Sequence, residues 1–285
     1  MEPTRSSITT HRETPPAHKI TQVFERARQE GRGVLMPYFM CGYPSAEQSV
    51  RITLAAIEAG ADIIELGMPF SDPLADGVTI QQASQVALQN GMTLLGCLHI
   101  AQQIAQQHDT PLVLMGYYNP ILTYGIERFC ADARAAGISG LIIPDLPPEE
   151  AEPLQQAAQR NGLTLIFLIP PTASDKRIAG IVELAAREPK GFIYCVSLSG
   201  VTGARKELPP HLQDFIQRVR GYTKSKELPL AVGFGLSTPE HIARVTSYAD
   251  GAIVASALVR LIDQHAEHEQ VEVVQTYIRS LRGDG

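Results

Sequence analysis

Short apolar runs alternate along this chain with longer segments in which apolar residues recur at helical spacing. The runs are mostly continuous rather than alternating with polar residues, which is typical of parallel strands covered on both faces. Glycines in turns such as Glu58–Ala61 end helices before the next strand begins. The predicted strands are Val34–Met40, Asp62–Glu65, Leu112–Met115, Gly140–Ile143, Leu163–Ile169, Phe192–Val196, Leu230–Val232 and Gly251–Val254.

A helical pattern follows each of these eight strands, so the sequence predicts an α/β fold of the closed (β/α)8 TIM-barrel type. An open doubly wound sheet is the alternative. One extra helix, Ile20 to about Glu30, precedes the barrel, Ile126–Ala136 follows the third strand, and the last helix is predicted to run from Ala255 to about Leu281. Residues 1–18 have almost nothing to bury, so we expect a disordered tail and a single barrel domain at 19–285.

Composition excludes several classes of protein. The net charge of −6 leaves no basic surface for nucleic acid. The eight histidines have no metal-site spacing, and no apolar segment reaches the length of a membrane helix. The four cysteines are far apart in the sequence and form no CxxC pair, which indicates reduced thiols in a cytoplasmic protein.

Two acids are placed differently around the second strand. Glu65 directly follows Ile63 and Ile64, where an unpaired carboxylate costs free energy, whereas Asp76 lies in the Gly/Pro-rich loop that follows. Such different environments can separate two pKa values, which suits proton transfer. The alternative is structural: Glu65 is salt-bridged and Asp76 caps the helix that begins at Val78.

The active sites of (β/α)8 barrels lie in the loops after the strands. Here the loops after the sixth, seventh and eighth strands contain Ser197–Gly203, Gly233–Gly235 and Ala255–Ser256, which is typical of a phosphate site made by backbone N–H groups and a helix N-terminus. The alternative is that these glycines only allow tight turns. Gly233–Gly235 lacks the third glycine of a dinucleotide fingerprint. Together with the two acids and the absence of a metal-binding set, these loops predict proton transfer on a phosphorylated small molecule, by isomerisation or carbon–carbon cleavage.

The stretch Glu65-Leu-Gly-Met-Pro-Phe-Ser-Asp-Pro-Leu-Ala-Asp-Gly77 resembles the signature of tryptophan synthase alpha chains, including the spacing between Glu65 and Asp76. Three further segments resemble that family in the same order: Gly200-Val-Thr-Gly203, Val232-Gly-Phe-Gly235 and Gly251-Ala-Ile-Val-Ala-Ser256. The resemblance extends from about Lys19 to the C-terminus.

The resemblance implies retro-aldol cleavage of indole-3-glycerol phosphate to indole and D-glyceraldehyde 3-phosphate, with no cofactor in this chain. It implies a beta-chain partner that uses pyridoxal phosphate in an α2β2 heterotetramer. It further implies roles for individual residues: Glu65 as general acid/base, Asp76 as partner of the indole N–H, Tyr194 near the scissile bond, Gly203, Gly235 and Ser256 at the phosphate, Tyr117 and Phe234 in the indole pocket, Thr202 in a closing loop, and Ser71–Pro73 facing the beta chain.

The sequence departs from the family pattern at Ala255, where glycine is usual, and at Tyr38 and Met40, which are often Phe and Thr. Ala255 either crowds the phosphate or needs no positive φ, and Tyr38 changes the shape of the substrate pocket. We also expect the loop from Ser197 to Glu207 to be disordered without ligand. Three functional alternatives remain open: a stand-alone lyase without a beta partner, a phosphosugar isomerase, and a non-catalytic scaffold.

Overall fold

The computed structural model describes residues 16–197, 208–233 and 235–283. Eight parallel strands close into a barrel in sequence order, with β8 paired to β1. This closure confirms the (β/α)8 prediction over the open sheet. The strands are β1 Val34–Met40, β2 Ile64–Gly67, β3 Leu112–Met115, β4 Ile138–Ile142, β5 Thr164–Ile169, β6 Ile193–Val196, β7 Leu230–Gly233 and β8 Gly251–Val254.

Helices surround the barrel, and short 3-10 turns occur at Pro148–Glu150 and Lys224–Lys226. None of the helices in the described ranges is both long and apolar enough to cross a membrane. The helices are α1 Pro16–Gln29, α2 Ala46–Glu58, α3 Val78–Gln89, α4 Leu94–Ala105, α5 Tyr118–Tyr124, α6 Ile126–Ala135, α7 Glu152–Arg160, α8 Asp175–Ala185, α9 Leu212–Thr223, α10 Pro239–Thr246, α11 Ser256–Asp263 and α12 Gln270–Arg282.

Helix α1 covers the N-terminal end of the barrel. Its apolar face is buried, and the Phe24 ring lies 5.6 Å from the Phe192 ring beside β6. Ile20 approaches Gly140 of β4 so closely that a Cβ atom at Gly140 would lie 3.1 Å from the Ile20 Cδ1 atom. The barrel interior is therefore closed at this end, which leaves the C-terminal end for a site.

Helix α1 begins at Pro16, inside the tail predicted to be disordered, and residues 1–15 of that tail lie outside the described residues. Two further helices differ from the sequence prediction. Helix α5 was not predicted, because Pro120 interrupts its apolar pattern; Pro120 is in the first turn, where no N–H is needed. The predicted final helix is broken in two. The buried Gln270 side chain donates to the carbonyls of Ile262 (3.1 Å) and His265 (3.3 Å), and thus supplies partners where α11 ends.

Asp62 ties the N-terminal end of the barrel together. Its carboxylate accepts from the backbone N–H of Leu35 (2.8 Å) and from Arg32 (2.9 Å), and it pairs with Arg282 at the end of α12. The Asp62 side chain is 5% exposed, and two guanidinium groups and a backbone donor offset the cost of burying its charge.

Candidate active site

Glu65 is the second residue of β2, and only 3% of its surface is exposed to solvent. Within the described part of the chain, no cation and no hydrogen-bond donor pairs with its carboxyl group. The salt bridge considered as an alternative for Glu65 therefore has no partner among these residues. Burial, reinforced by the negative charge of Asp76, raises the pKa of Glu65 to about 8. A carboxyl group in this state holds its proton at neutral pH and can act as a general acid.

Asp76 lies in the loop between β2 and α3. Its backbone N–H donates to the Pro73 carbonyl (3.1 Å), and its side chain accepts from the Tyr117 hydroxyl (3.2 Å). It does not cap α3, because the N-cap is Gly77 and no side chain caps that helix. Burial raises the pKa of Asp76 to about 6, and the Tyr117 hydrogen bond opposes that rise. Near neutral pH this carboxyl is mostly ionised, whereas Glu65 is mostly protonated.

Tyr117 holds the loop that contains Asp76. Its hydroxyl accepts from the Ala75 backbone N–H (3.0 Å) while it donates to Asp76. Its ring stacks on Phe70 in the same loop, with centroids 5.0 Å apart and an interplanar angle of 25°. Ser84 of α3 bonds both the N–H (2.9 Å) and the carbonyl (3.0 Å) of Phe70. Side chains from the loop after β3 and from α3 thus fix the loop at two points.

The two acids and two buried tyrosines line one small cavity of about 30 Å³. Tyr38 of β1 is the register neighbour of Glu65, and Tyr194 enters from β6. Glycines make room for both rings, because a Cβ atom at Gly67 would overlap the Tyr38 hydroxyl and one at Gly233 would overlap that of Tyr194. Burial, with the charges of Glu65 and Asp76, raises the pKa of both tyrosines, so they remain neutral donors.

Another part of the wall of this cavity is formed by Gly235, Ala255 and Ser256. Gly235 has φ +81°, a conformation that favours glycine. Ala255 has φ −119°, so its backbone has no need of the glycine that is usual in the resembled family. Ser256 is the first residue of α11, whose first turn contains no acid. This wall therefore presents a helix N-terminus, a hydroxyl and a backbone that can approach an anion closely.

A second cavity of about 720 Å³ opens from Asp76 and Gly77 toward β4 and β5. Its walls are mainly apolar, and it is large enough for a bicyclic aromatic group. Asp76 and Gly77 border both cavities, so the larger space and the smaller one that contains Glu65 meet at this carboxylate. Further lining residues are Leu74, Ile143, Leu146, Leu165, Phe167 and Val196.

The structure brings most of the residues predicted from the sequence together, and the rest lie outside its described residues. Those around the small cavity are Tyr38, Glu65, Asp76, Tyr194, Gly235, Ala255 and Ser256, and Tyr117 joins them through Asp76. Thr202, Gly203 and Phe234 lie outside the described residues, as does nearly all of the loop predicted to be disordered.

Sequence reasoning missed two features of the site. Ile80 and Met115 also line the small cavity, and their apolar side chains carried no signal that separates them from core residues. Asp145 accepts from the backbone N–H of Tyr118. It stands in the loop after the fourth strand, but nothing in its neighbourhood indicated a hydrogen bond to another loop.

A closed barrel with two unlike carboxyl groups at the C-terminal end of its strands defines a (β/α)8 enzyme built for acid–base chemistry. The family model described as "Tryptophan synthase alpha chain" matches residues 24–282. The chain therefore belongs to the tryptophan synthase alpha chain family, a family of lyases, and the resemblance stated from its motifs is confirmed.

Similar proteins cover nearly the whole chain. The tryptophan synthase alpha chain of Roseiflexus castenholzii is 50% identical over 266 residues, which are 93% of this chain and 99% of the relative. A tryptophan synthase structure from Mycobacterium tuberculosis superposes with a TM-score of 0.84 at 35% identity, covering 93% of this chain and 97% of the other. A chain of the Pyrococcus furiosus tryptophan synthase α2β2 complex gives 0.80 at 38% identity, covering 88% and 98%.

Proposed function

We propose that this chain cleaves indole-3-glycerol phosphate to indole and D-glyceraldehyde 3-phosphate as the alpha subunit of a tryptophan synthase. The observation that carries the proposal is the pair of carboxyl groups, buried Glu65 and half-buried Asp76, with pKa values of about 8 and about 6, placed where the larger cavity meets the one walled by Gly235 and Ser256.

The reaction needs a proton added at C3 of the indole and a proton removed from the neighbouring glycerol hydroxyl. Glu65, protonated at neutral pH, donates to C3. Its carboxylate then accepts the hydroxyl proton as the carbon–carbon bond breaks, so that the bonding electron pair returns to the ring and a carbonyl forms. The raised pKa of Glu65 suits both steps.

Protonation at C3 places positive charge on the indole nitrogen. Asp76, ionised near neutral pH, accepts the indole N–H and stabilises that charge. The hydrogen bond from Tyr117 favours the ionised form, and Tyr194, buried beside Glu65, contacts the substrate near the scissile bond.

Substrate orientation follows from the two cavities. The indole occupies the apolar space beyond Asp76, and Tyr38 limits its position on the β1 side. The phosphate binds the Gly235 backbone and the N-terminus of α11, where Ser256 adds a hydroxyl. Gly203, Phe234 and Thr202 complete this proposal as phosphate, indole and loop-closing residues on the resemblance alone.

The partner is a tryptophan synthase beta chain, as in the α2β2 complex of Pyrococcus furiosus. The loop Ser71–Pro73 faces it, beside Leu74, whose side chain is 93% exposed. On the resemblance to the family, pyridoxal phosphate is proposed to belong to that partner and not to this chain. The four cysteines are free and buried, which supports a cytoplasmic location.

The test is release of indole from indole-3-glycerol phosphate by the purified protein, measured with and without an added beta chain. Slow release that accelerates with the partner supports the alpha-subunit proposal, and fast release alone identifies a stand-alone lyase. No release in either case refutes the proposed chemistry.

Glu65→Gln is the matched variant, since it keeps the shape of the side chain and removes the ionisable proton. We expect normal folding and loss of nearly all turnover. More than about a tenth of the wild-type rate, a barrier change under ~1.4 kcal/mol, would show that Glu65 does not carry the proton.

A further inference from the structure

Helix α5 is capped by a side chain from another loop. Both carboxylate oxygens of Asp145, which follows β4, accept from the backbone N–H of Tyr118 at 2.9 and 3.2 Å. Tyr118 is the first residue of α5, and the N-cap position is Tyr117, whose side chain makes no capping bond. The loop after β4 thus supplies the acceptor that the N-cap residue does not provide.

The capped backbone is also the backbone that carries the Tyr117 side chain. The Tyr117 hydroxyl bonds Ala75 N–H (3.0 Å) and Asp76 (3.2 Å), so a continuous path of covalent and hydrogen bonds joins the loops after β4, β3 and β2. Moving the first turn of α5 by a few tenths of an ångström would lengthen the bond to Asp76, which at 3.2 Å is already longer than the usual O–H···O distance of about 2.5–3.0 Å.

We propose that Asp145 is a positioning residue, which holds Tyr117 against Asp76 by capping α5. The inference rests on the proposed function only where it predicts a change in the reaction rate. The effect of Asp145 on the pKa of Asp76 can be measured without substrate. Asp145 is exposed and borders the larger cavity, so it is not needed to fill the core.

The groups that face Asp76 determine the sign of the expected change. Among the described residues they are Tyr38 from β1, Glu65 from β2, Tyr117 from the loop after β3 and Tyr194 from β6, and none of these four is a cation. Arg177 borders the same larger cavity, and it pairs with Glu149. Of these, Tyr117 lowers the pKa of Asp76 by its hydrogen bond. Losing the cap should therefore raise the pKa of Asp76, whereas the mere removal of the negative charge at position 145 would lower it.

The experiment is a carbon-13 NMR titration of the Asp76 carboxyl in the ligand-free protein, with the signal assigned by its loss in Asp76→Asn. We expect Asp145→Ala to raise the pKa of Asp76 by about half a unit to one unit, the equivalent of one hydrogen bond. Tyr117→Phe should give a similar rise, and Asp145→Ala should add nothing further when Tyr117 is already Phe.

Two matched controls separate positioning from charge. Asp145→Asn keeps an oxygen that can accept from Tyr118 N–H and should leave the pKa unchanged or slightly lowered. Glu149→Ala removes a charge from the same loop, where Glu149 pairs with Arg177 (2.8 Å), and should cause no rise.

An unchanged or lowered pKa of Asp76 in Asp145→Ala would overturn the inference, as would an equal rise in Asp145→Asn. If Asp145→Ala does not fold, Asp145→Leu, which also removes the acceptor, takes its place: a rise there without one in Asp145→Asn supports the inference, and no rise overturns it. In the indole-release assay, the acidic limb of the pH profile should move with the NMR value. Full activity of Asp76→Asn would instead refute the proposed role of Asp76 and leave the titration result standing.

Discussion

The Glu65→Gln variant should become more stable relative to the wild type as the pH rises, because the wild type loses stability that the variant keeps. In the wild type the carboxyl is buried, and no donor or cation among the described residues compensates its charge. Its pKa is raised from 4.5 to about 8. The folded state therefore prefers the protonated form, and it resists the ionisation that the unfolded chain undergoes freely.

The magnitude follows from proton linkage. The protonated group contributes its full stability below pH 4.5, and that contribution is lost as the pH rises through about 8. The whole difference is on the order of 5 kcal/mol, of which about 4 kcal/mol falls between pH 5 and pH 9. Glutamine cannot ionise, so the variant lacks this loss, and any fixed cost of burying its amide cancels between the two pH values.

The assay is urea denaturation followed by circular dichroism at pH 5 and pH 9 for both proteins. We expect the variant to gain several kcal/mol relative to wild type between the two pH values. Glu47→Gln is the control, since Glu47 is exposed in the first turn of α2 and should give almost no pH-dependent difference. A constant difference between wild type and Glu65→Gln would refute the reasoning, because it would mean that Glu65 titrates normally in the folded state.

The pH profile of kcat/KM should be bell-shaped, with limbs near 6 and 8 that belong to the coupled carboxyl pair, and Asp76→Asn should lose the acidic limb. A profile flat from pH 5 to 9 would contradict these assignments. Gly233→Ala should lower kcat/KM by tenfold or more, about 1.4 kcal/mol, because the methyl group would overlap the Tyr194 hydroxyl. Gly180→Ala in α8, where a methyl group meets nothing within 4 Å, should keep full activity and add ~0.5–1 kcal/mol of stability; equal activity losses in the two variants would exclude the Tyr194 mechanism.

The sequence predicted the barrel well because its signal is local. Each strand is an apolar run, and the observed bounds of β1, β3 and β8 are those predicted. Helix α5 was missed because its stability depends on a proline in the first turn and on a cap from Asp145, which is 27 positions away in the sequence. Contacts of this kind depend on the assembled fold and leave no local pattern.

The site could be predicted only in part for the same reason. The Glu65–Gly77 stretch and the glycines of the later loops indicated which residues carry the chemistry. Whether Glu65 was paired could not be decided, since that depends on which side chains seven other strands bring into the barrel. Whether position 255 needs a glycine likewise depended on a single φ angle of the structure, which is −119° at Ala255.

Asp62 and Glu65 stand three positions apart and show opposite solutions to burying an acid. Asp62 meets Arg32, Arg282 and the Leu35 N–H at the closed end of the barrel, whereas Glu65, at the open end, meets no cation among the residues that the structure describes. Asp62→Ala would leave the largely buried Arg282 guanidinium without a carboxylate, while Arg32 would keep Glu30, so it should cost about 3–5 kcal/mol of stability while retaining kcat at low temperature. Glu65→Gln should do the reverse, gaining stability at high pH and losing turnover. An acid whose removal stabilises the folded protein has a role other than stabilising the fold. Opposite changes in stability and turnover for Asp62→Ala and Glu65→Gln would therefore locate the chemistry at Glu65 without a structure of a complex.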